Sequence, residues 1–254
     1  VSEHPAPGHG PADITRTKLR LVSYNVQGLR AGLAPVAQVL RELDPDVVCL
    51  QEAPRRLAWR GRSAALARRA HLLYVGGGGN TGGTALLTAV RVDVHDVAER
   101  RLRPTPGLTR RGVVVARMGK GAARFGVASI HLGLDAAERA RHFTDISGLM
   151  RASVLSDGGE VPVVLVAGDL NESPGALTWS RMAAQYVDAG ADDDTPTFST
   201  SRPQRRIDGV FVRGPAEITS YQVLDTPLVA KASDHRPVVV ELSIPADVAP
   251  APHS

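Results

Sequence analysis

The sequence predicts an α/β protein built as a single domain. Strand-like apolar runs alternate with stretches of helical periodicity from Leu19 to Leu242, and no linker long enough to divide two domains interrupts them. A further observation concerns how the apolar runs end. LVSYN stops at Asn25, VVCLQE at Glu52, ASIH at His131 and VVLVAGDLN at Asp169 and Asn171, while Ser233-Asp234-His235 precedes the run Pro237 to Leu242. Ligands collect at strand ends in open α/β sheets. The recurrence of one small pool of carboxylate, amide and imidazole groups at so many ends therefore suggests that those ends meet.

Taken in order, Val1 to Thr17 is rich in Pro, Gly and His without periodicity and is expected to be disordered, so His4 and His9 are not expected to bind a functional metal. The folded domain spans 18–244. Leu19 to Val26 reads as a strand, and Val36, Val39, Leu40 and Leu43 fall on one helical face that Pro45 terminates. Val47 to Gln51 is a short continuous apolar run, as in a strand covered on both faces. Gly76 to Gly83 lacks the Gly-Lys-Ser/Thr and following helix of a phosphate loop, because Thr84 to Leu87 continues as a strand; a flexible hairpin connection is expected. Further strands are expected at Gly112 to Arg117, Phe125 to His131, Val163 to Ala167, Ile207 to Val212, Ile218 to Val223 and Val238 to Leu242. Asp135 to Leu155 has a capping Asp and a stripe of Phe143, Ile146 and Met150, and Ser173-Pro174 has the form of a helix start. Pro245 to Ser254, a Pro/Ala tail, is likewise expected to be disordered.

Composition narrows the chemistry. An apolar share of 43% supports a substantial core, whereas 4% aromatics leaves it to Val, Leu, Ile and Ala and removes the stacking signal of single-strand binders. Net charge is +4, and of 30 basic residues only Lys18, Lys120 and Lys231 are lysine. Arginine forks suit phosphate oxygens, although a G- and C-rich genome produces the same bias. Cys49, the single cysteine, excludes an intrachain disulfide and a thiolate cluster and reads as a small buried hydrophobe. No run is long enough for a transmembrane segment and no signal pattern opens the chain, so a cytoplasmic enzyme is the default, with secretion of a processed form left open. A monomer is expected.

Glu52 emerges where its strand leaves the core, and with Asn25 it would satisfy a magnesium ion, which takes one or two protein carboxylates; alone, the pair also reads as a solvated strand end beside a turn. Asp169 and Asn171, two apart, point the same way in extended geometry, Asp to accept from an attacking water and Asn to donate to a phosphoryl oxygen; GDLN is also an ordinary turn. Asp208 is the candidate orienter of His235, leaving Asp234 free to reach a metal. His131 ends its own strand. Arg111 opens one, poised to clamp a phosphate, while Arg100, Arg101, Arg103 and Arg110 read as a solvated face.

In that order, Tyr24-Asn25, Gln51-Glu52, His131, Gly168-Asp169-Leu170-Asn171, Arg206-Ile207-Asp208 and Ser233-Asp234-His235-Arg236-Pro237 resemble the signature of the endonuclease/exonuclease/phosphatase superfamily, over roughly Leu19 to Ser243. The resemblance implies a four-layer α/β sandwich of two mixed β-sheets packed face to face with helices outside. It also implies Glu52 as principal ligand for Mg²⁺, or Mn²⁺ in its place, with Asn25 beside it and Asp234 completing a metal site. Asp169 would activate water, Asn171 donate to phosphate, and His131 and His235 stabilise the transition state with Asp208 behind His235. The expected activity is metal-dependent phosphoester hydrolysis. Nucleic acid is the leading substrate; a small or lipid-derived phosphate is the alternative, and a non-catalytic binding module the remaining one. One position departs from the pattern: Gly209 stands where the family's strand has an aromatic residue, which puts that strand's packing in doubt.

Overall fold

A computed structural model describes residues 15–154 and 161–246. The chain runs β1 (Arg16–Asn25), α1 (Leu33–Leu43), β2 (Val47–Gln51), α2 (Trp59–Arg69), β3 (Leu73–Gly77), β4 (Ala85–Thr88), β5 (Asp93–Arg101) and β6 (Gly112–Lys120). It continues through β7 (Ala123–His131), α3 (Ala136–Val154), β8 (Val163–Asp169), α4 (Leu177–Ala183), β9 (Val187–Asp188), β10 (Asp208–Arg213), β11 (Glu217–Val223), α5 (Pro227–Ala232) and β12 (Val238–Pro245). Two six-stranded sheets result, ordered β11-β12-β1-β2-β4-β3 and β5-β6-β7-β8-β10-β9. Both are mixed: β1 with β2 and β7 with β8 are parallel pairs in otherwise antiparallel sheets.

Period-2 alternation distributes the apolar residues over three buried layers. Leu19 and Leu21 of β1, Val47 and Cys49 of β2, Val127 of β7, Leu165 of β8 and Val210 of β10 meet between the sheets. The opposite face of the first sheet, including Val22, Tyr24, Val48 and Leu50, is covered by Val36 and Leu40 of α1, Leu66 of α2 and Val229 of α5. The outer face of the second, with Val113, Ile130 and Val166, is covered by Phe143, Ile146 and Met150 of α3 and by Trp179 and Met182 of α4. The molecule is thus the four-layer sandwich, helices outside. Burial on both faces explains why the central strands read as unbroken apolar runs. Leu165 is wholly buried between the sheets, and its truncation to Ala would cost about 2–5 kcal/mol.

Cys49 lies in this inter-sheet layer, where burial pushes its thiol up. The Gly76 to Gly83 segment joins the antiparallel neighbours β3 and β4, as a hairpin connection does. Asp135 caps α3 by accepting from the Glu138 N–H at 2.8 Å; Leu155 lies outside the described residues.

Several boundaries differ from the sequence reading. Arg16 and Thr17 pair with Pro245 and Ile244, and the Ala246 N–H donates to Thr15 O at 2.8 Å, so β1 and β12 extend into both compositional tails. Residues 1–14 and 247–254 lie outside the described residues. Ser173-Pro174 opens a turn, not a helix: the Ala176 N–H donates to Ser173 O, and Gly175 has φ 86°, which helical backbone does not permit, so α4 begins at Leu177. The space above Gly209 is filled by Trp179 and Phe211, an edge-to-face pair with ring centroids 5.3 Å apart.

Candidate active site

One rung of the second sheet sets the geometry. Asp169 at the end of β8 is the register partner of His131 in β7 and of Asp208 in β10. Val127, Leu165, Ala167 and Val210 face the inter-sheet layer, and alternation brings His131, Asp169 and Asp208 out on that same face at its open end. All three are buried. Gly168 permits the rung, since a Cβ there would lie 1.9 Å from Ile130 O.

The first sheet closes against this rung. Asn25, paired with Gln51 across β1 and β2, donates through Nδ2 to Asp169 Oδ2 at 3.1 Å and accepts the Gln27 N–H on Oδ1 at 3.1 Å. The amide therefore bridges the sheets, with one oxygen lone pair left over. Ser233 Oγ donates to Asn25 O at 2.7 Å and accepts the His235 N–H at 3.2 Å, which seats His235 over the rung.

His235 Nδ1 lies 2.9 Å from Asp208 Oδ2, and its Nε2 is 3.8 Å from Asp169 Oδ2. Burial alone would lower the proton affinity of this ring, but Asp208, Asp169 and Asp234 outweigh it and raise the pKa to about 9, so His235 is an imidazolium at neutral pH. Asp208 is pushed above the usual carboxylate range by burial and by Asp169, despite His235. Asp169 moves the other way: burial opposes its charge, yet His131, His235 and the Asn171 N–H, 2.8 Å from Oδ1, hold its carboxyl below the usual range. Arg111 Nη1 is 3.0 Å from His131 Nδ1. A guanidinium only donates, so Nδ1 accepts and the Nε2–H is left to face Asp169 Oδ2, 3.3 Å away. Asn171 Nδ2 lies 3.2 Å from the same ring nitrogen and donates to Leu132 O at 2.9 Å. An ionised carboxylate between an imidazolium and an arginine-bonded imidazole can align a water and stabilise an anion beside it.

Glu52 and Asp234 stand apart from the Asp169, Asp208 and His235 cluster, whose ligand-capable atoms lie within 4.8 Å of one another. Within that cluster Asp208 Oδ2 and His235 Nδ1 are already hydrogen-bonded to each other. Glu52 has φ 50°, is exposed, and has no side-chain hydrogen bond or ion pair among the described residues. Its carboxylate, with Asp169, nonetheless supports the charge of Arg111, whose pKa burial lowers. Asp234 Oδ1 and Asp208 Oδ1 are buried without hydrogen-bond partners. Unengaged carboxylate oxygens on Glu52, Asp234 and Asp208 are the hard donors that suit a hard divalent cation.

Some supports gave no signal in the sequence. Thr197 Oγ1 accepts the Ile207 and Asp208 N–H groups at 3.0 and 3.1 Å, and the Phe198 ring packs on His235 at 4.7 Å. Both lie in a loop without periodicity. Glu172 accepts from Arg139 Nε at 2.8 Å and from the Trp179 N–H, which anchors the chain just after Asn171. The hydroxyl of Ser233 lay in view within the SDH cluster, but its two partners are set only by the fold.

No curated protein matches this sequence significantly. Among solved structures, an endonuclease/exonuclease/phosphatase from Bacteroides vulgatus superposes with TM-score 0.73 at 18% identity, covering 90% of this chain and 99% of that one. A mannosyl-6-phosphatase from Bacteroides thetaiotaomicron gives 0.72 at 19% over 88% and 99%. D. rerio TDP2 complexed with a single-strand DNA product gives 0.69 at 19% over 89% and 99%. These likenesses show the fold. A profile of the Endonuclease/Exonuclease/phosphatase family, whose members are divalent-metal-dependent phosphoester hydrolases, matches residues 22–235, from the middle of β1 through His235. The chain belongs to the endonuclease/exonuclease/phosphatase family.

Proposed function

We propose that this protein is a divalent-metal-dependent phosphoester hydrolase that cleaves by in-line attack of water, with phosphodiesters of nucleic acid as the leading substrate class. The observation that carries the reading is the buried rung of His131, Asp169 and Asp208 closed by Asn25 and His235. Glu52, with Asp234 and the free lone pair of Asn25, would hold Mg²⁺ or Mn²⁺. When bound, the ion supplies charge neutralisation at the phosphoryl and leaving oxygens.

The chain's own groups account for the remainder. Asp169, ionised at neutral pH, accepts a hydrogen bond from the attacking water and aims its lone pair at phosphorus. His235 presents a positive ring to the equatorial oxygens, its orientation fixed by Asp208 at Nδ1 and by Phe198 against its face. Asn171 donates to the same oxygens. Arg111 acts through His131, holding that ring so that its Nε2–H points into the site. Hydrogen bonds aimed at charge that develops in the transition state are the largest catalytic contribution in sites of this kind.

A small phosphate ester is the second reading. The hollow beside Glu52 has a volume of 340 Å³, within the range of small-ligand sites. The test is a panel of plasmid DNA, single-stranded oligonucleotides, phospholipids and phosphorylated sugars with Mg²⁺ or Mn²⁺, with Glu52→Ala and His235→Ala as blanks. Turnover by wild type that EDTA abolishes is expected. Wild-type turnover by either variant, with metal controlled, would remove the assignment.

A further inference from the structure

We infer that Arg30, Arg55, Arg56 and Arg62 form a second anion subsite, which binds a phosphate group of the substrate other than the one cleaved. These four side chains line the 340 Å³ hollow together with Glu52 and Gln27. All four are exposed, and none has a side-chain hydrogen bond or an ion pair among the described residues. Elsewhere some arginines on the walls of hollows have acids, Arg91 pairing with Asp44 and Asp46 and Arg103 with Asp145, whereas Arg100 and Arg101 beside Arg103 have none among the described residues. Here four guanidinium groups share a hollow with one carboxylate. Nothing in helix α2 offsets them, since its first turn has no acidic residue and its N-cap, Ala58, has no side-chain hydrogen bond. Arg60, the remaining arginine of this corner, is engaged over the Trp59 ring at 4.3 Å.

Uncompensated like charges around one concavity are stabilised by an anion, and arginine forks match the tetrahedral oxygens of phosphate. The hollow is also continuous with the reacting edge. Glu52 is one of its walls and supports the charge of Arg111, while Arg55 opposes that charge, so both act on the guanidinium bonded to His131. A group held by the arginines would thus lie on the Glu52 side of the reacting edge. The class of substrate is an ester with at least two phosphate groups. The second phosphate is either the neighbour along a nucleic-acid strand or a second substituent of a small molecule.

This subsite presupposes the hydrolase reading only in its kinetic arm. There, wild type and Arg56→Gln/Arg62→Gln are compared on two substrate pairs: the p-nitrophenyl ester of thymidine 5′-phosphate with and without a 3′-phosphate, and fructose 1,6-bisphosphate against fructose 6-phosphate. In the pair that matches the natural source, the doubly phosphorylated member is expected to have the lower KM. The variant is expected to raise that KM about tenfold to a hundredfold, the worth of one or two charge-assisted hydrogen bonds, with kcat and the singly phosphorylated member unaffected. No KM advantage from a second phosphate in either pair, or an equal KM change for both members, would overturn the subsite. The binding arm titrates inorganic pyrophosphate calorimetrically into both proteins in EDTA. Weaker binding by the variant supports the subsite even if wild type hydrolyses nothing, an outcome that removes the hydrolase reading alone, and equal affinity overturns the subsite. Unfolding temperatures of the two proteins are expected to coincide, because both side chains are exposed and unpaired.

Discussion

The two ends of the sandwich are both crowded with charge, and they differ in whether the charges are satisfied. At the end where β1 enters, Asp46 accepts from the Arg20 N–H, Lys120 Nζ and Arg91 Nε, and Arg20 pairs with Glu241 at 2.6 Å. At the other end, about five strand residues or roughly 17 Å away, Asp208 Oδ1, Asp234 Oδ1 and Arg111 Nε are buried without partners, and Glu52 is unpaired. The larger hollow, 490 Å³, lies at the satisfied end, lined by Arg20, Asp46, Arg91 and Lys120. Volume therefore points to the wrong end here. The unspent charged donors and acceptors at this end are where a ligand's own groups can be received, because a buried charged group without a partner costs stability.

Substitutions at the two ends are expected to separate activity from stability. The largest effect is at the unsatisfied end, where Glu52→Gln, at an exposed side chain without a partner, is expected to lower kcat about 10²–10³-fold with the unfolding temperature little changed, measured by steady-state kinetics and calorimetry. Asp46→Asn is expected to do the reverse, sparing kcat and costing on the order of 2 kcal/mol, the scale for hydrogen bonds to a charged group whose cationic partners remain partly solvated. Its pH dependence is fixed in sign. Burial pushes the Asp46 carboxyl up, but hydrogen bonds from Lys120, the Arg20 N–H and Arg91 leave it below the usual range. Its stabilisation is thus present above an ordinary Asp pKa of about 3.9 and is lost as pH falls through the lower folded value. Chemical denaturation of wild type and variant is expected to converge only in strong acid; a stability gap that persists there would break the comparison.

Smaller effects sharpen it. Ser233→Ala leaves Asn25 O and the His235 N–H without their partner, so a stability loss of about 1–3 kcal/mol should accompany a fall in kcat at constant KM. A change confined to stability would mean that Ser233 does not position His235. The smallest, Thr226→Ala, removes the cap of α5, where Oγ1 accepts the Val229 N–H at 3.2 Å, and is expected to cost about 1 kcal/mol with kinetics unchanged.

The elements most visible in the sequence were those whose residues are decided by local rules. β2 is bounded by Pro45 and Glu52, and β8 leads into GDLN, so strand, face and emerging side chain follow from alternation alone. Elements governed by what lies outside them were not visible. α2 buries only Ser63, Leu66 and Ala67 behind an arginine-rich surface, so its apolar stripe is too thin to read. β5 is an exposed edge strand carrying Asp, His, Glu and Arg. α4 starts late because of the backbone at Gly175, a constraint of conformation that the favourable Ser-Pro pair concealed.

The sequence by itself determined which residues end the strands and which face they leave by, because both depend only on period-2 alternation and on where an apolar run stops. It also carried the motif order that places the chain in its family. Tertiary structure alone decided that Asp169 stands on one rung between His131 and Asp208, that Asn25 reaches across from the other sheet to hold it, and that four arginines beside Glu52 are left without acids. Register, and the pairing of charges, are relations between segments remote along the chain, and no local pattern encodes them.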